Sequence, residues 1–149
     1  MNPKLNPINA TLGATIEDID LTNMNTSDWT FVDSAFEKYG ALVFPGQFLD
    51  EESQALFSSH FGDIELTRGP EGGKAVPISN VKQDGTISET EEHVFKTMRG
   101  NEGWHMDSTY MPVAAKAGVL SAKIVPPSGG ETELADMRAA FDALDNEIK

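Results

Sequence analysis

Apolar residues recur at helical spacing in three segments of the chain, each preceded by a residue that favours a helix N-terminus. Ser27 predicts a helix over residues 28–39, and Asp50 predicts a second helix that runs through about His60. Asp136 predicts a third helix near the end of the sequence. The predicted inward-facing residues are Trp29, Val32, Phe36 and Tyr39 in the first, Leu56, Phe57 and Phe61 in the second, and Met137, Ala140, Phe141 and Leu144 in the third.

Short apolar runs bounded by turn residues predict strands elsewhere in the chain. The Asp84-Gly85 pair suits a hairpin turn. The polar stretch 88–103 has no strong period, which leaves an active-site lid and a mobile loop as equal interpretations. Helices come first, strands mostly later and a helix last, so the pattern predicts an α+β fold. The predicted strands and extended runs are 11–16, 41–44, 76–81, 86–88, 118–125 and 131–134.

Composition narrows the functional classes. The formal net charge is -13, which disfavours nucleic acid because a phosphate backbone requires clustered Lys and Arg. No apolar stretch approaches the roughly 18 residues of a membrane span, and the first residues lack a signal-peptide core, so we expect a cytoplasmic protein. The absence of cysteine leaves nitrogen and oxygen as the side-chain metal ligands. A length of 149 residues suits one domain.

The most informative motif is W-H-x-D at residues 104–107. On an extended strand, His105 and Asp107 would point to the same face, about 7 Å apart along the chain. One imidazole and one carboxylate are two of the three ligands in the facial triad of non-haem Fe(II) oxygenases. By itself the pair is weak evidence for a metal site, since a surface His beside a strand Asp satisfies the same pattern. Trp104 either walls such a site or packs in the core.

The sequence around this motif resembles the Fe(II)/2-oxoglutarate-dependent dioxygenases of the taurine dioxygenase and chlorophenoxyacetate dioxygenase family. The resemblance covers nearly the whole chain, and the W-H-x-D-S-T-Y-x-P and P-P-S-G-G-E-T wording is closer to the chlorophenoxyacetate branch. The segments that carry it are 40–47, His60-Phe61-Gly62, 101–113, 118–123, 127–132 and 136–144.

The resemblance implies roles for four residues. His105 and Asp107 match the first two iron ligands and are the implied catalytic pair, and Thr132 matches the residue that hydrogen-bonds a carboxylate of 2-oxoglutarate. Asn101 matches a position near the primary substrate. Without the resemblance, Thr132 equally suits a turn-closing hydroxyl and Asn101 a loop residue bonded to its own backbone. The implied cofactors are Fe(II) and 2-oxoglutarate, and the implied partners are molecular oxygen and a small anionic substrate resembling an aryloxyacetate, a sulfonate or a sulfate ester.

The family completes its site with a second His and an Arg, both well over a hundred residues beyond the H-x-D motif. In residues 1–149 no His follows His105, and Arg138 is the only later Arg. His60 and His93 suit structural or surface roles, and Arg138 suits an exposed helix face. Arg68 is a candidate for an anionic substrate or a solvated loop residue. We therefore expect residues 1–149 to be a single domain, the N-terminal portion of a dioxygenase catalytic domain that is inactive alone.

The implied fold is a double-stranded β-helix, a jelly-roll of cupin type, with flanking helices and incomplete at its C-terminal side. Such a partial barrel leaves an apolar face exposed, so we expect the chain to form a homo-oligomer that covers it. The alternative function is a non-catalytic module, derived from that family, that binds a metal or a small acid or mediates oligomerisation.

Overall fold

The computed structural model describes residues 2–65, 75–82 and 84–149. Within these ranges the chain forms helices and one small sheet, which confirms the α+β class. Chain contacts divide the protein into two compact units, with residues 1–53 and 121–149 in unit 1 and residues 54–120 in unit 2. The elements are β1 (Lys4–Pro7), β2 (Ala14–Glu17), α1 (Thr26–Tyr39), β3 (Leu42–Val43), α2 (Glu51–Ser59), α3 (His93–Gly100) and α4 (Met137–Asp142).

Unit 1 contains the sheet. β2 lies in the middle, antiparallel to β1 and parallel to β3, and α1 is the crossover between the two parallel strands. Ile16 of β2 and Val32 of α1 are fully buried, so the first predicted helix and strand do supply the core. The sequence pattern missed β1, because Asn6 and Pro7 are poor strand formers and this short strand exists through its pairing with β2. The other buried apolar residues of this unit are Ala14, Ile19, Leu21, Ala35 and Leu49.

Both ends of α1 are capped. Asn25, and not the predicted Ser27, is the N-cap: its side chain accepts hydrogen bonds from the backbone N–H groups of Ser27 at 2.8 Å and Asp28 at 3.1 Å. Asp28 completes a capping box by accepting from the N–H of Asn25 at 3.1 Å. Gly40 ends the helix with φ +69°, and its N–H donates to the carbonyl of Phe36 at 2.8 Å.

Several predicted strands in the second half of the chain are wrong for the described residues. The runs 118–125 and 131–134 are irregular. The predicted hairpin turn at Asp84-Gly85 does form: Val81 and Ile87 pair across it as an antiparallel bridge, and the N–H of Lys82 donates to the carbonyl of Thr86 at 2.7 Å. A strand is stable only when a neighbour pairs with its backbone groups, and an apolar run does not reveal whether that neighbour is present. The aperiodic stretch 88–103 contains α3, which is short and has no buried residue.

The last helix forms as predicted, but its apolar side is not covered. Asp136 caps α4 by accepting from the N–H groups of Arg138 at 3.0 Å and Ala139 at 3.3 Å. Met137 is 71% exposed, Phe141 is 53% exposed and Leu144 is 40% exposed, so their predicted inward orientation is wrong here. Helical spacing identifies an apolar face without showing what packs on it. None of the helices in the described ranges is long and apolar enough to cross a membrane.

Candidate metal centre

The W-H-x-D motif lies in unit 2, on a loop that turns sharply and not on the predicted strand. The backbone has no regular structure at His105, and a turn begins at Asp107. This turn brings the two side chains together: Nε2 of His105 is 3.2 Å from Oδ1 of Asp107. The two side chains therefore do lie together, but on a loop and not on a strand.

The other ring nitrogen of His105 is fixed by the backbone. Nδ1 lies 2.8 Å from the carbonyl oxygen of Gly103. A carbonyl oxygen accepts hydrogen bonds and cannot donate them, so this contact places a hydrogen on Nδ1. In the neutral ring Nε2 then carries the lone pair, and that lone pair lies beside a carboxylate oxygen. An Nδ1–H group bonded to a backbone carbonyl is the arrangement that commonly orients a metal-binding imidazole.

Two electron-pair donors this close favour a cation near both of them. Two ligand atoms bound about 2.1 Å from one metal ion at a right angle are roughly 3 Å apart, close to the separation of Nε2 and Oδ1. Both side chains are accessible, with His105 49% and Asp107 82% exposed. The pair thus fits two adjacent positions on a divalent ion. No set of three or more His, Asp or Glu side chains suited to a metal occurs in the described ranges, so a complete triad is not formed there.

A carboxylate that the sequence reasoning missed holds the turn after Asp107. Glu65 Oε2 accepts a hydrogen bond from the hydroxyl of Ser108 at 2.5 Å, and Oε1 accepts one from the phenol of Tyr110 at 3.1 Å. The hydrogen bond to Glu65 and the negative charge of Glu65 raise the pKa of Tyr110, with burial and Asp107 adding to the increase. No local spacing predicts this contact, because Glu65 lies 43 residues before Ser108.

The remaining predicted site residues are Asn101, Thr132 and Trp104. Asn101 is the C-cap of α3 and its N–H donates to the carbonyl of Met98 at 3.0 Å. Thr132 is exposed in an irregular segment of unit 1. Trp104 is exposed, so its core-packing interpretation is wrong for the described residues.

The other candidate histidines and arginines have separate positions. His93 begins α3, with Nδ1 3.4 Å from the hydroxyl of Thr97, and His60 follows α2 in a turn. Arg138 does more than occupy an exposed face, since its Nη1 donates to the carbonyl of Glu37 at 3.2 Å in the last turn of α1. Arg68 lies outside the described residues.

Residues 4–149 match the family described as taurine catabolism dioxygenase TauD, TfdA family. The chain belongs to this family. Because the match extends over nearly the whole sequence, the resemblance inferred from the motifs is confirmed.

Relatives within the TauD, TfdA family are named for aryloxyalkanoate substrates. The chain is 42% identical over 145 residues to the (S)-phenoxypropionate/alpha-ketoglutarate-dioxygenase of Sphingobium herbicidovorans, covering 96% of this chain and 48% of the relative. It is 34% identical over 158 residues to the alpha-ketoglutarate-dependent 2,4-dichlorophenoxyacetate dioxygenase of Cupriavidus pinatubonensis, covering 100% of this chain and 55% of the relative. The chain spans about half the length of these curated relatives.

A solved structure of the same family has a similar backbone. The crystal structure of AAD-2 in complex with Mn(II) and N-oxalylglycine, an analogue of 2-oxoglutarate, is 35% identical and superimposes with a TM-score of 0.89. The similarity covers 99% of this chain and 52% of AAD-2. The backbone described above therefore corresponds to about half of a metal-binding member of the TauD, TfdA family.

Proposed function

We propose that this chain provides the His-x-Asp part of the iron site in an Fe(II)- and 2-oxoglutarate-dependent dioxygenase that hydroxylates a small anionic substrate. The observation that carries the proposal is the 3.2 Å contact between Nε2 of His105 and Oδ1 of Asp107, with Nδ1 held by Gly103. Family membership supports it, and relatives named as alpha-ketoglutarate-dependent dioxygenases indicate the cofactor.

In this proposal His105 and Asp107 hold Fe(II) through one neutral nitrogen and one anionic oxygen. The hydroxyl of Thr132 donates a hydrogen bond to a carboxylate of 2-oxoglutarate. Asn101 lies near the primary substrate and supplies an amide hydrogen-bonding group. When bound, Fe(II) and 2-oxoglutarate supply the oxygen activation that converts a substrate C–H bond to C–OH. The protein's contribution is to fix the Nδ1–H tautomer of His105, so that the lone pair of the neutral ring is on Nε2.

The substrate class follows from the relatives. An aryloxyalkanoate is favoured, because the relatives with the higher identities are named for phenoxypropionate and dichlorophenoxyacetate. A sulfate ester is the second class, since a relative with 26% identity is named as a sulfate ester dioxygenase. Hydroxylation at the carbon beside the ether or ester oxygen gives an unstable product that splits at that oxygen.

The proposed site needs more than the described residues contain. His105 and Asp107 are two ligands of a three-ligand triad. We infer that a third ligand, and an arginine for the distal carboxylate of 2-oxoglutarate, come from outside the described residues, in the same protein or a second copy. In this view residues 1–149 are the N-terminal portion of one jelly-roll catalytic domain located in the cytoplasm, and by themselves bind metal weakly and do not turn over.

The test measures succinate formed from 2-oxoglutarate under Fe(II) and oxygen, in residues 1–149 and in the product of the intact gene. The substrate panel is (S)- and (R)-phenoxypropionate, 2,4-dichlorophenoxyacetate, an alkyl sulfate and taurine. We expect phenoxy-dependent succinate from the intact product, abolished by His105→Ala and retained by His93→Ala, which removes an exposed imidazole outside the pair. Metal binding at His105 without succinate for any substrate would instead support the non-catalytic module.

A further inference from the structure

The turn that follows the His105–Asp107 pair has an unusual backbone. Ser108 has a φ angle of +58°, in the left-handed region that favours glycine. Ser108 is also buried, with only 6% of its surface exposed. Residues other than glycine seldom adopt this conformation unless surrounding contacts hold it. Because Ser108 is joined directly to Asp107, its φ angle sets where the chain goes next. What holds Ser108 therefore also restricts the backbone at Asp107.

The contacts that hold Ser108 come from one carboxylate. Glu65 is half-buried, and each of its two oxygens accepts a hydrogen bond from a different hydroxyl of the same turn: Ser108 at 2.5 Å and Tyr110 at 3.1 Å. Hydrogen bonds to an ionised acceptor are stronger than those between neutral groups. The turn adds two bonds of its own, from the N–H of Met111 to the carbonyl of Ser108 at 3.0 Å and from the hydroxyl of Thr109 to the carbonyl of Met106 at 3.3 Å. Glu65 therefore fixes the turn at two points.

We propose that Glu65 is a positioning residue for the metal centre, holding the 107–110 turn so that Asp107 stays beside His105. The metal part of this inference rests on the proposed function, while the ordering of the turn by Glu65 does not. Glu65 acts through its hydrogen bonds to Ser108 and Tyr110, and these bonds do not involve His105 or Asp107. Its role is to reduce the conformational freedom of Asp107 before a metal ion binds, which lowers the entropy lost on binding.

A matched control distinguishes the hydrogen bonds of Glu65 from a general effect of its negative charge. Glu102 is an exposed carboxylate of the same unit, three positions before His105 and 3.9 Å from Arg99. Glu102→Ala removes one negative charge near the pair without touching the turn. Glu65→Gln removes the charge of Glu65 but keeps an oxygen that accepts from Ser108, so it separates hydrogen bonding from charge.

The experiment measures backbone order parameters of residues 105–110 by NMR in the metal-free 149-residue chain. We expect an order parameter of about 0.85 in the wild type and in Glu102→Ala, and a similar value in Glu65→Gln. In Glu65→Ala the order parameter should fall below about 0.6. An unchanged order parameter in Glu65→Ala overturns the proposal, as does an equal fall in Glu102→Ala. Should Glu65→Ala fail to fold, Ser108→Ala and Tyr110→Phe each remove one hydroxyl, and an ordered turn in both variants overturns it equally.

A second arm uses Mn(II) as the probe. Paramagnetic broadening of the His105 ring signals, followed against Mn(II) concentration, gives an apparent dissociation constant even when binding is weak. We expect Glu65→Ala to raise that constant about tenfold or more and Glu65→Gln to restore most of the affinity. Absence of broadening at His105 in the wild type counts against the proposed function, while the order parameters still decide the role of Glu65.

Discussion

The phenol of Tyr110 donates a hydrogen bond to Oε1 of Glu65 over 3.1 Å, and the proximity of this carboxylate raises the pKa of Tyr110 above its ordinary value of 10.0. The raised pKa has a defined effect on stability. A group that loses its proton less readily in the folded state stabilises the fold below its ordinary pKa, and that contribution is lost as the pH rises through the raised value.

The first prediction is that Glu65→Gln lowers the pKa of Tyr110. The amide carries no charge, so ionisation of the phenol no longer creates two adjacent negative groups. The measurement is phenolate absorbance against pH in a Tyr39→Phe background, where Tyr110 is the single tyrosine. An unchanged titration midpoint would contradict the Glu65–Tyr110 contact, and Glu102→Ala serves as the control for general charge.

The second prediction concerns the cap of α1. Asn25→Ala should lower the free energy of unfolding by about 1 kcal/mol, because two backbone N–H groups at the helix start lose their acceptor. Ser27→Ala is the matched control: it removes only the hydroxyl bond from Ser27 to Asn25 at 2.6 Å and leaves both backbone bonds. Urea unfolding followed by circular dichroism distinguishes the two. A larger effect from Ser27→Ala would restore Ser27 as the cap.

The third prediction concerns the other end of α1, where Arg138 donates to the carbonyl of Glu37. Arg138→Met keeps most of the aliphatic stem but loses a cation at a helix C-terminus, and should lower the free energy of unfolding by roughly 0.5–1.5 kcal/mol. A methyl group at Gly40 would lie 2.9 Å from Nη2 of Arg138, and Gly40 has φ +69°. Gly40→Ala should therefore destabilise more when Arg138 is present than in the Arg138→Met background. Additive effects in this double-mutant cycle would show that the two residues do not interact.

The fourth prediction is that the 149-residue chain self-associates through the apolar side of α4. Met137 and Phe141 of α4 are exposed, as is Leu144 just after the helix, and burying them in a second copy removes apolar surface from water. Sedimentation velocity should show a coefficient that rises with protein concentration, reduced by Phe141→Ser. Phe48→Ser replaces another exposed phenylalanine of unit 1 outside α4 and should leave the association unchanged. A monomer at all concentrations would argue against the proposed homo-oligomer.

Local patterns identified the elements whose stability is local. Apolar spacing predicted α1, α2 and α4, the cap Asp136 was predicted correctly for α4, and the residues of β2 and β3 predicted strands. The run 118–125 failed as a strand because pairing depends on a partner that the run itself does not specify. The apolar residues of α3, Val94, Phe95 and Met98, span little more than one helical turn, which is too short for residues 88–103 to show a clear period.

The same distinction holds at the candidate site. His105 and Asp107 are two positions apart, so a short motif reveals them, and their side chains do lie together. Ser108 and Tyr110 depend on Glu65, whose distance along the chain gives the sequence pattern no periodicity to detect. The left-handed backbone of Ser108 is equally hidden, because serine has no marked preference that announces it.

The composition of unit 1 from two separate stretches has a consequence for how the chain folds during synthesis. The carbonyl of Glu37 accepts a hydrogen bond from Arg138, which is synthesised 101 residues later. At a synthesis rate of about 5–20 residues per second, that interval lasts roughly 5–20 s on the ribosome. Residues 54–120 emerge in the meantime, while the last turn of α1 still lacks the hydrogen bond from Arg138. Unit 1 is therefore incomplete throughout this interval, and slow codons between residues 54 and 138 should lengthen it.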